Sequence, residues 1–219
     1  MIDFESYVDH NLKFFSKESI FEINLPHDLQ IIIFSFVGFT PRTNLELREA
    51  VDLWINNESE ALKKYGHISY WNTQYITNMR ELFSDAESFN EPLYWNTKKV
   101  TNMNSMFSQA KSFNQPLEFN TENVIKMEGM FFNAILFNQS LNFNTMNVTD
   151  MEAMFFNAHS FNQPLYFTST ENVTNMSSMF SGAKLFNQHL NFNTEKVTYM
   201  AFMFFDCPIS EENKCSSLS

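Results

Sequence analysis

Residues 113–121 read FNQPLEFNT. Residues 137–145 read FNQSLNFNT, 24 positions later, and residues 89–97 read FNEPLYWNT, 24 positions earlier. Aligning the chain on the aromatic of this phrase gives Trp71, Trp95, Phe119, Phe143, Phe167 and Phe192. The intervals are all 24 except one of 25, where FTSTENV replaces a six-residue phrase such as FNTMNV. A fixed period in this range marks a repeat protein, because a unit that cannot bury its apolar face alone becomes stable against its neighbours.

The columns of the alignment are strict. One methionine column holds Met79, Met103, Met127, Met151, Met176 and Met200; a second holds Met106, Met130, Met154, Met179 and Met203, with Leu82 in the first copy. A phenylalanine column follows at Phe83, Phe107, Phe131, Phe155, Phe180 and Phe204, then a small residue from Ala86 to Cys207. In one copy the apolar positions are Met103, Met106, Phe107 and Ala110, the i, i+3, i+4, i+7 spacing of a helix. Thr101 stands where it can cap the start of that helix. Leu93-Tyr94-Trp95 alternates instead, as a short strand does, with Pro92 at its beginning. The spacing therefore predicts a strand, a turn and a short helix in each copy.

Composition sets the limits. The chain has 219 residues and a net charge of −11, with acids outnumbering bases both before and after residue 66. An evenly acidic surface repels phosphate backbones, so no nucleic-acid partner is expected. Two cysteines make no disulfide framework. The first ten residues, MIDFESYVDH, lack the basic and apolar regions of a signal peptide, and the apolar stretch from Ile31 to Phe39 is too short to cross a bilayer. A cytoplasmic protein without a membrane segment is expected.

Upstream of the repeats, TNLELREAVDLWINN (43–57) reads as a helix opened by a Thr43/Glu46 capping box, with Leu47, Ala50, Val51 and Trp54 on one face. SEALKKYG (59–66) reads as a second helix stopped at Gly66. The organisation expected is a helical segment over 1–40, a helical cap over 41–67, repeats over 68–209, and a polar tail over 210–219.

The phrase WNTKKVTNMNSMFSQAKSFNQPL (95–117) resembles the BspA-like branch of leucine-rich repeats, found in bacterial surface proteins and in large DNA viruses of protists. The resemblance covers about residues 68–209. It implies an α/β solenoid of about six stacked strand–helix coils, leucine-rich-repeat-like and right-handed, used for protein recognition behind an α-helical N-terminal cap. A second, shorter resemblance lies at LPHDLQIIIFSFVG (25–38), which is similar to the start of an F-box through Leu25, Pro26, Leu29, Ile33 and Phe34. It implies docking on a Skp-type adaptor, so that the repeats would choose the target of a cullin ubiquitin ligase. The alternative is an ordinary buried helix with Pro26 in its first turn.

No catalytic or metal-binding constellation emerges. The five histidines share no repeat position, and the Met-x-x-Met pairs, which could suit copper, are read as core. No Gly-rich phosphate loop occurs, and no cofactor is expected. Asn90, Asn114, Asn138, Asn162 and Asn187 fill one column and Asn72, Asn96, Asn120, Asn144 and Asn193 nearly fill another; both are read as structural ladders. The residue between the recurring leucine and the aromatic varies: Tyr94, Glu118, Asn142, Tyr166 and Asn191, with Tyr70 ahead of them. Pointing away from the core, this column is the candidate partner-binding row. The function expected is a non-catalytic scaffold for a protein partner. The alternatives are an F-box-type substrate receptor of a cullin ubiquitin ligase and a structural or virion-associated repeat protein; the Phe-, Asn- and Ile-rich composition points to an AT-rich, viral genome and so to a host cytoplasm.

Overall fold

A computed structural model describes residues 38–215. Two α-helices precede the repeats. The first, α1 (Asn44–Asn56), starts on Thr43, whose side-chain oxygen accepts from the Glu46 amide. The Glu46 carboxylate reaches back to the Arg42 amide at 2.7 Å, one residue before the position a standard capping box uses. The second, α2 (Glu58–Tyr65), is capped by Asn57 and ends at Gly66, whose φ of 75° needs a residue without a Cβ. Leu47, Ala50, Val51 and Trp54 are buried on the inner face of α1. Trp54 meets Trp71 edge-on, and Phe39 and Tyr65 pack on the same Trp71 ring.

The repeats are not built as expected. Among the described residues the only α-helices are α1 and α2, and no strand longer than an isolated parallel bridge forms. The strand–helix coil, and with it the leucine-rich-repeat-like α/β solenoid, is therefore wrong. The reason lies in two backbone positions of every copy. In the second copy these are Ser105 and Gln109, with φ of 54° and 61°; in the fourth they are Ala153 and Asn157, with φ of 51° and 52°. A left-handed residue every fourth position cannot belong to an α-helix.

Each would-be helix is two consecutive four-residue turns. The Met106 amide donates to the Met103 carbonyl, and the Ala110 amide to the Phe107 carbonyl. In both turns the third residue is the left-handed one, as in a type II turn. First and last residues of each turn point inward, so Met103, Met106, Phe107 and Ala110 are all buried. Two such turns in series reproduce the helical spacing in the sequence, which is why the pattern misleads.

The amides left over between the turns cross to the next copy. Met103, Ser105, Phe107 and Gln109 donate to the carbonyls of Lys126, Glu128, Met130 and Phe132, at 2.7–3.0 Å. The same four bonds recur at each junction from Met79–Asn102 to Gly182–Phe205. Within this paired-turn segment every copy thus turns these N–H groups toward the following copy and their carbonyl acceptors toward the preceding one. The apolar columns stack in the same register. Rings of Phe83, Phe107, Phe131, Phe155, Phe180 and Phe204 follow one another at 5.4–5.9 Å, nearly parallel. Phe89, Phe113, Phe137, Phe161 and Phe186 form a second pile, each ring about 4 Å from its partner in the first.

Candidate interaction surface

The segment expected to be a strand is extended, but it is hardly paired. Its backbone bonds include Tyr94 to the Ser69 carbonyl at 3.0 Å and Tyr166 to the Leu141 carbonyl at 3.3 Å, beside a single bridge between Leu141 and Leu165. Pro92, Pro116 and Pro164 bring no donor to it. Side chains hold the copies together here instead. The Asn90 side-chain carbonyl accepts the amide of Asn114 at 2.8 Å, and Asn114 in turn accepts Asn138, Asn138 accepts Asn162, and Asn162 accepts Asn187. Ser210 ends the ladder on Asn187.

The second asparagine column works within one copy. Asn96 and Asn120 accept the amides of Lys98 and Glu122 two residues on, which closes the corner after the extended segment. In the copy that carries the extra residue, Ser169 takes this role by accepting from Glu171, while Thr168 donates back to Asn144. Buried threonines complete the junctions: Thr73, Thr97, Thr121 and Thr170 donate to the backbone carbonyls of Asn96, Asn120, Asn144 and Asn193. These threonines and the glutamines next to the first asparagine column, such as Gln115 on the Asn90 carbonyl, were not singled out by sequence reasoning. Their strict 24-residue recurrence was the available signal.

On this frame the extended segment alternates. Leu93, Leu117, Leu141 and Leu190 face inward with Trp95, Phe119, Phe143 and Phe192. The residues between them, Tyr94, Glu118, Asn142, Tyr166 and Asn191, are exposed, and Tyr70 is half-buried at the head of the row. All six expected partner-binding residues therefore lie on one continuous side of the stack. At the N-terminal end Tyr70 and Tyr94 stack with ring centroids 5.6 Å apart, and the His67 ring lies 6.1 Å from Tyr70. Burial pushes both phenols up, helped by Tyr94 at Tyr70 and by Glu118 at Tyr94, so both are neutral hydrogen-bonding groups. Burial likewise holds His67 below its ordinary value, against the pull of Glu91 at 3.7 Å. Its Nδ1 accepts from the Ser69 amide, which a neutral ring can do. Tyr166 stands alone and is 61 % exposed. A cleft of about 610 Å³ opens beside Asn191, walled by Ser169, Asn193, Thr194 and Met200.

The F-box-like positions Leu25, Pro26, Leu29, Ile33 and Phe34 lie outside the described residues. Among the described residues no group of His, Cys, Asp and Glu side chains could hold a metal ion, and no helix is long and apolar enough to cross a membrane.

In-register columns that recur every 24 or 25 residues define a repeat protein. Residues 55–165 and again 118–216 match the family described as Mycoplasma protein of unknown function, DUF285, and the chain belongs to that family. The overlap of the two matches reflects the repetition, and the family accords with the repeat type that the 95–117 phrase resembles. No curated protein and no solved structure matches the chain.

Proposed function

We propose that this chain is a non-catalytic scaffold that recognises a protein partner through the row Tyr70, Tyr94, Glu118, Asn142, Tyr166 and Asn191. One observation carries the reading. Each neighbouring column is consumed in holding copy to copy, by stacking, by buried hydroxyls or by the asparagine ladder, whereas this column is exposed from Tyr94 onward and changes from copy to copy. A residue that the stack does not need can be varied to suit a ligand. Tyrosine supplies contact area and a polar tip at small entropic cost, which suits a protein surface.

A second reading rests on the motif at 25–38. There the repeats would present a target and the N-terminal segment would recruit a Skp-type adaptor of a cullin ligase. One affinity capture from eukaryotic lysate separates the two. The Tyr94→Ala/Tyr166→Ala variant is expected to keep its far-UV spectrum and lose the captured target. Capture equal to wild type would remove the row from consideration. Adaptor and cullin recovered by wild type and lost by Leu25→Ala/Pro26→Ala/Ile33→Ala would support recruitment; their absence from both leaves the plain scaffold.

A further inference from the structure

The two ends of the stack differ. At the N-terminal end α1 covers the first copy: Asn44 accepts the amides of Thr77 and Asn78, and Arg48 donates to the Arg80 carbonyl at 2.6 Å. At the C-terminal end the described part of the tail covers the asparagine side and the Phe204 ring. Asn213 donates to Asn187, its carbonyl accepts from Leu190, and Lys214 lies over the Phe204 ring. Among the described residues no further copy lies on the turn edge from 199 to 206. Met176, Ser178, Phe180 and Gly182 send their amides into this last copy, but Met200, Phe202, Phe204 and Asp206, which hold the same places within it, donate to no partner among the described residues. Tyr199, Phe202 and Phe205 are each at least 65 % exposed beside them. Met200 is also exposed, although every other member of its column that is followed by another copy is fully buried.

We infer that the edge 199–206 docks a peptide segment that carries this chain's own repeat motif and offers a row of free backbone carbonyls. The polarity of the edge selects the occupant. Its free amides are donors, and each amide at a junction inside the stack finds a separate carbonyl, two residues from the next. A row spaced in this way fits an edge of carbonyls better than one compact anion. Two copies meeting end to end through this edge would set donors against donors. Head-to-tail joining is obstructed, because α1 already occupies the carbonyl edge of the first copy. What fits is an uncapped repeat segment, whose methionine side chain continues the column that ends at Met200 and whose apolar side chains meet the exposed Phe202 and Phe205 rings. Strand-addition recognition follows the same logic: backbone bonds supply affinity and alternate side chains supply specificity.

The test uses the full chain and an acetylated, amidated, fluorescently labelled peptide with the sequence of residues 100–123. Saturable binding by anisotropy is expected, with none for a peptide in which the residues at Met103, Met106 and Phe107 are serine. The chain variant Met200→Lys/Phe202→Gly/Phe205→Ser should keep its melting temperature and bind at least about tenfold more weakly. Amides of 200, 202, 204 and 206 should exchange with solvent rapidly in the free chain and slowly with peptide bound, while those of 176, 178, 180 and 182 stay protected throughout. Absence of binding, unchanged affinity in the triple variant, or protection of the edge amides before peptide is added would each overturn the proposal. The Tyr94→Ala/Tyr166→Ala variant should bind the peptide as wild type does; loss there would place the peptide on the lateral row instead and overturn it too.

Discussion

At the scale of single residues, the asparagine at the start of each FNQ phrase does the work that a backbone carbonyl does in a sheet. Its side chain lends an acceptor to the next copy's amide where the extended backbone offers few. Removing Asn138 leaves the half-buried amide of Asn162 without that acceptor, which costs about 1–3 kcal/mol. Asn138→Ala is therefore expected to lower the melting temperature by several degrees, read by calorimetry, and to leave target capture by the tyrosine row unchanged. Normal stability combined with lost capture would show that the column is a binding site and not a ladder. This role was legible in the sequence, because an amide that recurs every 24 residues at one position has its own copy as neighbour. The roles of Thr168 and Ser169 were not legible: the extra residue moves the turn-closing oxygen one position along, and only coordinates show which side chain reaches the Glu171 amide.

At the scale of the element, the paired turn replaces the helix. A buried helix satisfies its amides internally, four residues back. Here half of the amides leave the segment and bind the next copy, which left-handed residues at two fixed places permit. Glycine occupies these places only at Gly129 and Gly182; elsewhere they hold residues such as Ser105, Asn133, Ala153 and Phe202. A side chain in the left-handed region costs roughly 1–2 kcal/mol, partly offset because glycine has more freedom to lose on folding. Ala153→Gly is therefore expected to raise the unfolding free energy by about 0.5–1 kcal/mol, read as a slightly higher melting temperature. Ala158→Gly, at a fully buried place with no positive φ, should lower it. Both variants raised or both lowered would contradict the turn geometry. The scarcity of glycine concealed these turns from sequence reasoning, since the usual signal for a left-handed residue is missing from most copies.

At the scale of the whole molecule, the stack has a direction. In the paired turns the inter-copy amides point toward the C-terminal end and their carbonyl acceptors toward the N-terminal end, while the amides of the Thr77 column point the other way, so each end needs a different closure. Asn44 and Arg48 supply it at one end. Asn44→Ala/Arg48→Ala should weaken that closure and reduce stability by about 1–3 kcal/mol. By hydrogen exchange, the amides of Thr77 and Asn78 should open first, with those of Met151 and Ala153 following only on global unfolding. Uniform acceleration at all of these sites would show that α1 does not act as a local closure.

The sequence alone determined which residues become neighbours, namely the methionine, phenylalanine and asparagine columns, and which row remains outside, because identical units in contact must align like with like. It determined the Thr43 start and the buried face of α1 as well, since capping and amphipathic spacing are local. Only the tertiary structure decided what each unit is. Two turns and one helix bury the same spacing of side chains, and the choice depends on whether the amides close within the segment or across to the next copy. That destination belongs to the neighbour, and no single unit records it.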